Sequence, residues 1–70
     1  MGSKQLRQKL RANLGERTFE IARDGTVGWY LYVYVGDRCT HDYLQDTLEQ
    51  AKSHAAEHFG VPADTWRAID

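Results

Sequence analysis

The sequence predicts a small α+β domain, ordered α-β-β-β-α, with a three-stranded antiparallel sheet packed on helices. Three observations carry this. Leucines recur every four residues ahead of Gly15, seven strand-forming residues run from Trp29, and a capping signal at Asp46 opens an apolar stripe that closes at Gly60.

The first helix is expected from Ser3 to Leu14. Leu6, Leu10 and Leu14 stand at i, i+4 and i+8, Ser3 supplies an N-cap, and Gly15 a left-handed stop. Three leucines on a polar helix do not hold it in water alone, so it must dock. From Arg17 to Arg23 the period changes to two, with Phe19 and Ile21 on one face. Asp24-Gly25 is a turn signal, and Gly28 ends the connection. Trp29 to Val35 consists only of β-branched residues, aromatics and Leu, which suit a pleated strand. Gly36-Asp37 reads as the Gly-first loop of a type II′ hairpin, which makes Arg38 to Leu44 the third strand. Asp46 with Glu49 forms a capping box for a helix that buries Leu48, Ala51, Ala55 and Phe59. Gly60, Val61 and Pro62 stop it in the Schellman manner, and Trp66 and Ile69 fold back over the core.

The 70 residues form one domain, 1–70, and a chain this short hides only about 60% of its unfolded surface on folding. Net charge is −1, so no global field points to nucleic acid or membrane. The charge is nevertheless uneven. Residues 1–23 carry Lys4, Arg7, Lys9, Arg11, Arg17 and Arg23 against Glu16 and Glu20, while residues 24–70 are net acidic. Lys4, Arg7 and Arg11 fall along one side of the expected first helix with Arg17 just beyond, a candidate contact for an anionic partner. An ordinary solvated helix face explains them more simply. A single cysteine, Cys39, excludes an internal disulfide framework and fits a reducing, cytoplasmic setting. No apolar run reaches membrane-spanning length, and the start is charged rather than signal-like.

If Gly36-Asp37 forms the turn, Tyr34 pairs with Cys39, Tyr32 with His41 and Tyr30 with Tyr43. The aliphatic row of Leu31, Val33 and Val35 makes the better core face, having no polar atoms to satisfy. Tyr30, Tyr32, Tyr34, His41 and Tyr43 are then expected on the outer face as a partner-binding stripe, since phenols combine contact area with a polar tip. The plainer alternative is that the hydroxyls only solvate a sheet surface.

No catalytic constellation is expected. His54 and His58 have the i, i+4 spacing of a metal pair, with Cys39, His41 and Glu57 as further donors, but His41 is expected on the sheet face opposite the helix. Cys39 with His41 lacks an oxyanion hole or nucleophile elbow. No dinucleotide fingerprint, P-loop or CxxC occurs, so neither metal nor cofactor is expected.

Two resemblances extend the reading. The segments WYLYV at 29–33, DYLQDTLEQAK at 42–52 and FGVPADTW at 59–66 resemble small uncharacterised bacterial proteins with a Trp-Tyr strand, an acidic helix start and a closing FGVP…W. That likeness runs from Trp29 to Trp66, over half the chain, consists of packing residues and implies no activity. The α-β-β-β-α order, with Ala51-Lys52-Ser53-His54-Ala55-Ala56, is similar to the double-stranded RNA-binding domain. Where that family has its lysine pair this chain has Leu48-Glu49, and its Gly-Pro-x-His loop is here Asp24-Gly25-Thr26-Val27-Gly28. The resemblance implies a shared shape without the family's RNA contacts. The expected function is a non-enzymatic interaction module for a protein partner or a second copy. Nucleic-acid binding through the basic first helix is the alternative.

Overall fold

The computed structural model describes residues 9–24 and 28–69. Four strands, β1 (Lys9–Leu14), β2 (Arg17–Asp24), β3 (Gly28–Val35) and β4 (Arg38–Gln45), precede a single helix, α1 (Leu48–Phe59). A 3-10 turn at Ala63–Thr65 then leads into a short strand, β5 (Arg67–Ala68). The strands form one antiparallel sheet in the order β4-β3-β2-β1-β5. No helix among the described residues is long and apolar enough to cross a membrane.

The expected α-β-β-β-α order with three strands is therefore corrected to β-β-β-β-α with five. The segment Lys9–Leu14 is a strand paired along its length with β2, not the end of a helix. The remainder of the expected helix, including Ser3, Lys4, Leu6 and Arg7, lies outside the described residues. The cause of the misreading is a degeneracy. A spacing of four returns Leu10 and Leu14 to one side in a helix and equally in a strand. Ala12, between them, breaks the tie: it is buried against Phe19, where a helix would carry it round the axis. Gly15 has φ 65°, which serves a helix stop or the first position of a two-residue hairpin loop, and here it serves the hairpin.

The second hairpin follows the expected chemistry. Gly36 has φ 64°, Asp37 keeps a negative φ, and Val35 pairs with Arg38, as a type II′ turn requires. At the other end of β3, Gly28 lies so close to β4 that a Cβ there would collide with the Gln45 carbonyl oxygen.

Helix α1 covers one side of the sheet. Phe19, Ile21, Leu31 and Val33 point up from β2 and β3 and are fully buried under Ala51, Ala55 and Val61. Burial of each large apolar side chain contributes about 1.5–3 kcal/mol. Alanines at the contact let the helix sit close, while Leu48 and Phe59 pack at its two ends. The N-cap is Thr47, one residue later than expected. Its hydroxyl accepts from the Gln50 N–H at 3.0 Å, and the Gln50 side chain accepts from the Asp46 N–H at 3.2 Å. Gly60 closes the helix in the left-handed region, donating to the Ala56 carbonyl, and Val61 turns into the core. Trp66 folds back against the core as expected, whereas Ile69 stays 39% exposed and instead donates its N–H to the Lys9 carbonyl at 3.0 Å.

Candidate interaction face

Because α1 lies on one side, the sheet has a second side that no described element covers. Three cross-strand rows, fixed by the pairing, make up this open face. Cys39, Tyr34, Thr18 and Asn13 form the first; Asp42, Tyr32, Glu20, Arg11 and Arg67 the second; Leu44, Tyr30, Ala22 and Lys9 the third. Three phenol rings run down the middle along β3. Tyr30 and Tyr32 stack at 5.7 Å between centroids, and Tyr32 meets Tyr34 at 6.4 Å. Leu44, 46% exposed, flanks Tyr30 and extends the apolar surface toward the β4 edge.

Polar groups organise the rest. Arg11 grips Glu20 through two nitrogens, at 3.1 and 2.8 Å, and Thr18 donates to the Asn13 side chain at 3.1 Å. These residues, with Tyr34 and the Gly36-Asp37 turn, line a shallow hollow of about 340 Å³. Burial first, and then the nearby Glu20, Cys39 and Tyr32, hold the Tyr34 hydroxyl above its ordinary pKa, with Arg11 pulling the other way. The group therefore stays a neutral donor and acceptor.

The outer stripe expected from sequence is split. Tyr30, Tyr32 and Tyr34 stand on the open face as expected, with Cys39 beside Tyr34. His41 and Tyr43 do not. A bulge inserts Thr40 as an extra residue between the Tyr34–Cys39 and Val33–His41 pairs, and every later side chain of β4 changes sides. Asp42 and Leu44, assigned to the core face by an unbroken register, take the vacated places. The bulge is held by Thr40, whose hydroxyl donates to the Val33 carbonyl at 3.2 Å. With that proton spent, the hydroxyl accepts from His41 Nδ1–H at 3.0 Å.

No protein-family model, curated protein or solved structure matches this chain.

On the helix side the displaced pair joins a ring cluster. His41 stacks on Tyr43 at 5.9 Å, Tyr43 meets His54 at 4.2 Å, and His54 stacks on His58 at 4.3 Å. Phe59 touches His41 and Tyr43 and carries Arg17 over its face at 5.5 Å. The three histidines thus share one side of the sheet, contrary to the expected separation of His41. Among the described residues no group of three or more metal-ligating side chains converges. The Gln45 amide donates to His54 Nδ1 at 3.3 Å, which leaves the ring proton on a buried Nε2. Burial, and then the neighbouring His58, lower the His54 pKa, opposed by Glu57.

The basic residues are likewise redistributed. Lys4 and Arg7 lie outside the described residues. Arg11 is on the open face and Arg17 on the helix face, so these two form no common surface. Sequence reasoning did not select Asp42, Leu44 or Arg67, which the bulge and the fifth strand bring to the open face.

Proposed function

We propose that the chain is a non-enzymatic interaction module that binds a protein, or a second copy of itself, through the open sheet face. One observation carries this: three contiguous phenols and a half-exposed leucine lie on a sheet face that no described element covers. Contiguous apolar surface of this kind marks binding sites more often than scattered exposure does. Tyrosine also tolerates both a wet rim and a dry centre. A cytoplasmic setting suits the exposed free thiol of Cys39. Nucleic-acid binding through Lys4, Arg7, Arg11 and Arg17 has less support, because Arg11 and Arg17 point to opposite sides of the sheet.

A photocrosslinking amino acid placed at Tyr30, and separately at exposed Ala56 of α1, tests the reading in cells. Protein adducts are expected from position 30 and not from 56. Absence of any adduct from position 30, or equal yields from both positions, refutes a docking role for this face.

A further inference from the structure

We propose that the occupant of the open face is a second copy of this chain, packed sheet to sheet across a two-fold axis that runs along the strands. This rests on the interaction-module reading and adds the identity of the partner.

The charge layout carries it. Read from β4 to β5, the central row runs Asp42, Tyr32, Glu20, Arg11, Arg67, with acid at one end and arginines at the other. β2 is the middle strand of the five. An axis along β2 turns this row over onto itself, setting Asp42 of each copy above Arg67 of the other and Tyr32 above Arg11. Glu20 meets its own copy at the axis, each already held by its Arg11. The contact is isologous, so it closes as a dimer and does not propagate.

The arginine end is built to receive a carboxylate. Arg11 and Arg67 are direct cross-strand partners, and like charges so placed repel. With Asn13, Thr65 and Asp64 they line a hollow of about 290 Å³. Lys9, Arg11 and Arg67 outnumber Glu20 and Asp64 by one on this side, and Asp42 at the far edge supplies the complementary charge.

Size sets the strength. Strands of six, eight, eight, eight and two residues, at about 3.3 Å rise and about 4.8 Å spacing, give a footprint of roughly 500 Å² per copy. Two footprints total roughly 1,000 Å², the least that a specific interface needs, so the dimer is weak and reversible. Twisted sheets stacked in this aligned fashion lie about 10 Å apart, a gap that phenol rings fill from both sides.

Sedimentation equilibrium over a wide concentration range, at low and high salt, supplies the test. The wild type should pass from the monomer mass of 8.1 kDa toward twice that value. Asp42→Arg and Arg67→Asp should each weaken the dimer at least about tenfold. The double variant should recover it, and so should an equimolar mixture of the two single variants, since each supplies the charge the other lacks. A wild type that stays monomeric at millimolar concentration overturns the proposal, as does a mixture that fails to recover. Adducts to other proteins from position 30 alongside a monomeric wild type would dismiss self-pairing alone. Loss of adducts altogether would dismiss the module reading as well.

Discussion

His54 sits where chemistry and packing oppose each other. Its ring lies between Tyr43 and His58, accepts from Gln45, and feels the charge of Glu57. Burial and His58 both disfavour the imidazolium, so the folded protein holds this residue neutral below its ordinary value of 6.5. The unfolded chain binds that proton more readily. Stability contributed by the neutral ring is therefore complete above about pH 6.5 and declines as the pH falls from there toward the lower folded value. Urea midpoints measured at pH 7.5 and 5.0 should fall on acidification, and His54→Gln should shrink that fall. An identical pH dependence in the variant would show that the acid sensitivity arises elsewhere. Nothing in the sequence announces this: the i, i+4 pair of histidines suggests a ligand set, and only the register of β4 reveals a stack of rings.

Strand β4 shows what one inserted residue does to an element. Thr40 moves His41 and Tyr43 onto Phe59 and His54 and sends Asp42 and Leu44 outward. Deleting Thr40 should join Cys39 directly to His41 and keep every pairing of β4, with Asp42 still outward and Tyr43 still beneath the helix. The loss is confined to the hydrogen bonds of the Thr40 hydroxyl, about 1 kcal/mol. A large fall in the urea midpoint, with Tyr43 no longer against His54 by NMR, would mean that Thr40 itself, and not the pairing with β3, sets the register of β4. The bulge was illegible because β4 offers the pattern no preference: Tyr43 suits either face, and so does Leu44. β2, β3 and α1 were legible for the opposite reason. Phe19 with Ile21, Leu31 with Val33, and Ala51 with Ala55 each leave one register that buries only apolar atoms. β1 failed for want of such a contrast, although Gly15-Glu16 repeats the Gly-first loop chemistry correctly read at Gly36-Asp37.

At the scale of the whole molecule, the sheet and its covering helix emerged from the chemistry of turns and caps. The strand count did not, because the leucines of β1 also fit a helix and its contacts with β5 are remote in sequence. The open face was half legible: β3 supplied its phenols, and long-range pairing supplied the arginine edge. One of those remote contacts reaches beyond binding. The Ile69 amide bonds to the Lys9 carbonyl, so the last described strand and the first lie side by side. The described backbone thus starts and finishes side by side at one edge of the sheet. A circular permutant that joins Ile69 to Lys9 through a short Gly-Ser linker and opens at Gly15-Glu16 should fold to the same sheet, visible as an unchanged pattern of slow amide exchange. If it does not, nucleation requires the β1–β2 turn to be covalently intact. If it does, new cargo can be grafted at a tight turn without displacing any strand.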